Sequence, residues 1–251
     1  MEIFNTFLYN PLLWSLVTLY NALFHNFGLA ILALTLLIRV ALIPLSMPSL
    51  KTAKKMQDLK PHLDKLKEKH GSDKQKLAQA QMDLYKEHGV NPMAGCLPQI
   101  LQIVVLIAMY NVFMNFINNG KIDGQAINMG FLWLDLAKKD PYYILPVVAG
   151  LSQLMLSLMM SPVTNTSAVA KVEDKKKEQD ATESMQKQML FMMPLMTVVI
   201  SLNFPSGLAL YWVATTVFSI AQQYKVYKWG GLLNLADKAR GIISPYVSKH
   251  S

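Results

Sequence analysis

The sequence predicts an all-α integral membrane protein with five transmembrane helices, an interfacial helix ahead of the first and a helical hairpin in water after it. Three observations carry this expectation. The 251 residues are 52% hydrophobic and only 16% charged, and the apolar residues come in blocks long enough to span a bilayer. Lys and Arg are segregated. Twenty lie in 51–90, 163–187 and the tail from Lys225, against three, Lys121, Lys138 and Lys139, in the loops that alternate with them. Finally, the first long apolar stretch, Phe27 to Pro48, carries one cation, Arg39.

Residues 1–26 read as an interfacial amphipathic helix. Asn10-Pro11 suits a helix start, Trp14 and Tyr20 suit the membrane–water boundary, and a sixth span is the alternative. The start, Met-Glu-Ile-Phe-Asn-Thr, resembles neither a secretory signal nor a transit peptide, so a bacterial cytoplasmic membrane is expected. Span one covers 27–48. The polar block 49–91 has Met56, Leu59, Leu63 and Leu66 and then Leu77, Leu84 and Tyr85 at helical spacing. His70-Gly71-Ser72 separates its arms, and Pro61 kinks or restarts the first.

Span two is 92–117, followed by a polar loop, 118–141, with Trp133 near the interface. Span three is 142–161, and 162–187 is a charged connector of low hydrophobicity. The apolar run after it is too long for one span. It divides into span four, 188–203, and span five, 208–227, at a tight turn, 204–207, containing Pro205 and Gly207. The basic tail is 228–251. The positive-inside rule puts hairpin, connector and C-terminus in the cytoplasm and the N-terminus outside.

A helix entering the apolar layer near Phe27 carries Arg39 about 18 Å into a core about 30 Å thick, just past its midplane in the cytoplasmic leaflet. A guanidinium there costs roughly 2.5–3.5 kcal/mol, so it is expected to face protein or a wet cavity. No span contains a carboxylate to pair with it. Water or a visiting anion is the remaining partner, which implies a hydrated groove. Thr35, one turn before Arg39, Gln99 and Gln102 on span two, Gln153 on span three and Thr215 on span five are neutral polar groups able to line such a groove or to bond helix to helix.

The same inventory excludes other chemistry. Cys96 is the single cysteine, and the five His lack metal-ligand spacing, with His62 and His70 read as hairpin surface. No catalytic dyad of an intramembrane protease and no membrane carboxylate of a proton-coupled transporter is present, nor a glycine-rich nucleotide loop, so no cofactor and no enzymatic reaction are expected. Met155, Met159, Met160, Met189, Met192, Met193 and Met196 give spans three and four a deformable flank suited to packing or to clients without a fixed sequence.

Several motifs, in order along the chain, together resemble the YidC/Oxa/Alb membrane protein insertases. They are Ile38-Arg39, Pro44-Leu45, Lys54-Lys55-Met56-Gln57 with Lys60-Pro61, Leu84-Tyr85-Lys86, and Val90-Asn91-Pro92-Met93-Ala94-Gly95-Cys96-Leu97-Pro98. Then come Asp140-Pro141-Tyr142-Tyr143-Ile144-Leu145-Pro146, Phe204-Pro205-Ser206-Gly207-Leu208-Ala209-Leu210-Tyr211-Trp212 and Gln222-Gln223. The resemblance implies a hydrophilic groove open to cytoplasm and lipid and closed outside, with Arg39 as its arginine and Thr35, Gln102, Tyr211 and Trp212 lining it. It also implies that Lys54, Lys55, Met56 and Lys60 meet clients or partners in the cytoplasm. The expected partners are nascent membrane proteins, the ribosome at the basic tail and cytoplasmic loops, and anionic lipids, with the protein acting alone or beside the Sec translocon. On this resemblance the protein is expected to be of a short type, without the extra first span and large periplasmic domain of the Gram-negative type and without the lipoprotein signal of many Gram-positive members. Two other classes compete with an insertase: an anion transporter built on Arg39, and a scaffold acting through its hairpin.

Overall fold

The chain opens as a helical run. It comprises α1 (Glu2–Phe4), a π-helical turn (Asn5–Tyr9) and α2 (Asn10–Ala22), with Pro11 in the first turn of α2, where no backbone N–H is missed. These elements belong to a computed structural model that describes residues 2–71, 73–91, 97–122, 125–160 and 181–229. The expected connector as far as residue 180, the tail from 230 and the start of span two at 92–96 lie outside the described residues. Leu12, Leu16 and Tyr20, four apart, form the buried stripe of α2 against α3 (Phe27–Ala41) and α7 (Leu97–Asn119), while Phe7 and Trp14 stay exposed.

Asn26 caps α3, its Oδ1 accepting from the Leu29 N–H at 3.0 Å. The helix buries Phe27, Ala30, Ile31, Leu34 and Thr35 on one face. Where a span to Pro48 is expected, the chain turns by 64° at Leu42 and continues as α4 (Ile43–Asp58). Pro44 explains the break, because it has no N–H to offer the Val40 carbonyl and its ring crowds the preceding turn. Arg39 therefore stands in the last turn of α3 rather than in the middle of a longer helix.

Pro61 restarts the helix as expected. It lies in the first turn of α5 (Lys60–His70), which packs against α6 (Lys74–Glu87). Asp73 caps α6 by accepting from the N–H groups of Gln75 and Lys76, each at 3.1 Å.

Helix α7 buries Val105, Ala108, Met109, Val112, Phe113 and Phe116 and exposes Ile100, Ile103 and Ile107. Its stretch Ile100–Asn119 is, among the described residues, the one unbroken helix long and apolar enough to cross a membrane. The bent pair α3–α4 is a second if taken as one span. The remaining long helices are α8 (Ile144–Met160), α9 (Ala181–Asn203), whose apolar part is Leu190–Asn203, and α10 (Ser206–Tyr227). Helix α8 packs on α9 and α10, and α10 on α3. Only Phe204 and Pro205 separate α9 from α10, within the tight turn the Pro and Gly predict.

The polar loop expected at 118–141 holds two small antiparallel ladders, β1 (Lys121–Ile122) with β2 (Gln125–Ala126) and β3 (Gly130–Phe131) with β4 (Leu134–Asp135). It closes one end of the bundle. Ile122, Leu134 and Leu136 are buried, and Phe131 sits where any side chain on Gly28 would have to be. The loop also satisfies the first turn of α10. Ser206 N–H donates to the Lys138 carbonyl at 2.7 Å, Gly207 N–H to Leu136 at 3.1 Å, and Ser206 Oγ to Asp135 at 2.7 Å. Aromatic packing of Phe27 on Phe113 and Phe116, with centroids 5.6 and 5.3 Å away, fills the centre.

Candidate functional site: the Arg39 pocket

Three helices meet at Arg39. From the last turn of α3 its guanidinium donates to Gln102 Oε1 of α7 at 2.5 Å, and Gln102 Nε2 donates to Tyr211 Oη of α10 at 3.4 Å. Amide and phenol are each able to give and accept, so one neutral chain links the cation to the bundle interior. Thr215 lies one turn beyond Tyr211. Its Oγ1 is buried without a hydrogen bond of good geometry among the described residues.

Beside the guanidinium is a cavity of about 20 Å³ lined by Arg39, Leu42, Ser46, Leu101, Gln102 and Gln222. That is room for about one water, in a polar setting where water is stable. Two of its lining residues are bonded to each other, Gln222 Nε2 donating to Ser46 Oγ at 2.6 Å, and Ser46 Oγ donates to the Leu42 carbonyl at 2.9 Å. Among the described residues no carboxylate forms an ion pair with Arg39. A guanidinium has five N–H donors, and Gln102 takes one of them, so the rest are available to water or an incoming acceptor.

The residues expected around Arg39 divide in the structure. Gln102 and Tyr211 are joined to it through hydrogen bonds, and Thr215 lies one turn on. Thr35 is buried, its hydroxyl donating to the Ile31 carbonyl at 2.7 Å. It lines a separate, apolar cavity of about 400 Å³ with Leu32, Leu36, Ala214, Val217, Phe218 and Ala221. Trp212 and Gln153 are half-buried and do not line the Arg39 cavity. Gln99 belongs to α7, and its side chain lies outside the described residues.

Lys54, Lys55 and Met56 occupy the end of α4 and Lys60 the start of α5, together at the joint that Pro61 creates. Lys54 pairs with Asp58 at 2.8 Å and lies 5.8 Å from the Tyr227 ring centroid. His62 faces His88, with centroids 6.0 Å apart. Among the described residues no cluster of three or more His, Cys, Asp or Glu could hold a metal ion.

Sequence reasoning missed Ser46 as a neighbour of Arg39 and did not bring Gln222 to it. The available signal was Gln222-Gln223 late in an apolar helix. The bend at Leu42, which swings Ser46 back towards α10, hid the relation from any argument based on one straight helix.

Residues 19–231 match the family model described as 60Kd inner membrane protein. The membrane protein insertase MisCA of Bacillus subtilis (strain 168) is 40% identical over 206 residues, 80% of this chain and 70% of that protein. The membrane protein insertase YidC 2 of Bacillus anthracis is 39% identical over 229 residues, 89% of this chain and 81% of that protein. The membrane protein insertase YidC of Fusobacterium nucleatum subsp. nucleatum is 37% identical over 205 residues, covering 82% and 88% of the two chains. With the motifs, the mostly helical fold and the arginine pocket all in place, the chain belongs to the 60Kd inner membrane protein family, with the YidC and MisCA proteins as its relatives.

Proposed function

We propose that this protein is a membrane protein insertase and chaperone of the bacterial cytoplasmic membrane, and that Arg39 receives the polar segment of a nascent membrane protein. The observation that carries the reading is Arg39 itself, held by a neutral glutamine beside a polar cavity, with no carboxylate paired to it among the described residues. The missing counter-charge belongs to the client. A carboxylate about 4 Å from the guanidinium gains about 4 kcal/mol at an effective dielectric constant of about 20, comparable with the cost of holding the arginine in the membrane.

The mechanism follows from that balance. A short, often acidic, extracytoplasmic segment of the client is drawn from the cytoplasm into the space around Arg39, which lowers the cost of carrying polar groups partway across. The cavity has to widen for this, and α4 is the element to move, because it joins α3 at the Leu42 bend. Gln102, Tyr211 and Thr215 offer the segment further hydrogen bonds, with Thr35, Trp212, Gln99 and Gln153 following as the groove opens. The client's apolar helix meanwhile slides into lipid along α7 and α9 or α10, and its partition from water drives release.

Five membrane crossings, by α3, α7, α8, α9 and α10, put the N-terminus outside and the hairpin and C-terminus in the cytoplasm, as the Lys and Arg distribution requires. Lys54, Lys55, Met56 and Lys60 then meet the client or its escorts first. The basic tail meets the ribosome and anionic lipid, with or without the Sec translocon alongside. Photocrosslinkers placed at Ser46, Gln102 and Trp212, with Arg39 kept, test the proposal. Adducts to a stalled nascent membrane protein are expected at the first two positions, and their absence at both while lipid-facing positions crosslink would overturn it.

A further inference from the structure

The larger cavity lies between α3 and α10, on the same face of α3 as Arg39 and one turn before it. It is bounded by Leu32, Thr35 and Leu36 of α3 and by Ala214, Val217, Phe218 and Ala221 of α10, and its volume is about 400 Å³. Its walls are apolar, since the Thr35 hydroxyl is already given to Ile31. Leu36 and Val217 are more than half exposed at its rim, so it opens sideways from the bundle.

The α10 wall continues in helical register. Adding seven to Val217 and Phe218 gives Tyr224 and Lys225, which prolong the same stripe beyond the cavity, and Lys228 directly follows the last helical residue, Tyr227. Tyr224, Lys225 and Lys228 are exposed. Tyr224 stacks edge-on with Trp229 at 5.0 Å between centroids, and Lys228 Nζ sits 5.7 Å from the Tyr224 ring. Neither α3 nor α10 carries a carboxylate. An apolar trough thus ends in two aromatic rings and two lysines, the order of surfaces that a phospholipid presents from chain to headgroup.

The dimensions agree. From Ala214 to Tyr227, next to Lys228, the helix rises about 20 Å at about 1.5 Å per residue, and half a hydrocarbon core plus one headgroup layer is about the same. Two other occupants fit less well. A second copy related by a two-fold axis would bring Lys225 and Lys228 against their own duplicates. A client helix carries its own Lys and Arg on the cytoplasmic flank, where they would meet the same two lysines.

We propose that the α3–α10 face holds one anionic phospholipid of the cytoplasmic leaflet, its acyl chain in the cavity and its phosphate at Lys225 and Lys228. This rests on the membrane orientation proposed above. The full chain, purified in detergent and exchanged with equimolar phosphatidylglycerol and phosphatidylcholine, is examined by native mass spectrometry. Retention of phosphatidylglycerol over phosphatidylcholine is expected, with a preference of about five-fold for each lysine. Lys225→Gln with Lys228→Gln abolishes the preference while leaving some lipid bound, and Ala221→Phe, which fills the trough, lowers retention of both lipids.

Equal retention of the two lipids by the native chain would overturn the proposal, as would an unchanged ratio in the double glutamine variant. So would a disulfide-linked dimer through Leu36→Cys at native lipid levels. Arg39→Ala is measured alongside. It impairs client insertion but keeps the native lipid ratio, so failure of the lipid site and failure of the insertase reading register separately.

Discussion

At the scale of single residues, Gln102 is the clearest case of a side chain chosen for what it lets a neighbour keep. Its carbonyl takes one N–H of Arg39 and its amide reaches Tyr211. Gln102→Leu, close in volume, strands that donor. A loss of about 1–3 kcal/mol is expected for an unsatisfied buried group, seen as a lower melting midpoint in detergent, whereas Gln102→Glu would neutralise Arg39 internally and reduce capture of acidic clients without that loss. Asp140 works at the other end of the bundle. Its buried carboxylate accepts from Leu145 N–H at 2.7 Å, Tyr142 N–H at 3.1 Å and Trp133 Nε1–H at 3.3 Å, tying the loop to the start of α8. Asp140→Ala is expected to cost about 1–3 kcal/mol, read as a lower melting midpoint in detergent. The arginine was legible from the sequence because a charge in an apolar run is conspicuous. Asp140 was visible only as part of a motif, since nothing in its spacing says that it is buried.

At the scale of elements, the helices were readable from their periodicity and the bend was not. Pro44 and Pro48 both interrupt the end of the apolar run, but Pro48 sits inside α4 without ending it, whereas Pro44 accompanies a 64° turn. Neighbouring helices decide between such outcomes. Here α4 is clasped to α10 by Gln222 on Ser46 and by Tyr227 Oη on the Leu50 carbonyl at 3.4 Å. Gln222→Ala is expected to loosen α4 first, giving faster amide exchange over 43–58 than over α3, with no change in α8. The α5–α6 hairpin depends on the Asp73 cap, whose carboxyl is held below its ordinary value of 3.8 chiefly by hydrogen bonds from the Lys76 N–H and side chain. A carboxyl lowered on folding stabilises the hairpin above that ordinary value and ceases to do so as pH falls from it through the folded value. Asp73→Asn, which keeps a cap without the charge, should flatten that acid-side loss of helicity. The two short ladders in the loop were not legible, because two-residue strands leave no alternating pattern to detect.

At the scale of the whole molecule, the distribution of Lys and Arg is the strongest statement the sequence makes, and it concerns orientation rather than contacts. It predicts that in a Cys96→Ser background Phe24→Cys is labelled by an impermeant maleimide from outside intact cells and His88→Cys only after permeabilisation. The reverse pattern would invert the membrane arrangement proposed above. Insertion as proposed turns on one charge near the junction of three helices and on a client that brings the opposite charge. The most direct test is insertion, in cells depleted of the native protein, of two clients differing only in whether their short extracytoplasmic segment is acidic or neutral. Arg39→Ala should slow the acidic client at least about ten-fold, the equivalent of about 1.4 kcal/mol of lost attraction, and leave the neutral one near the native rate. Equal insertion of the acidic client by the native chain and by Arg39→Ala would contradict the role given to Arg39.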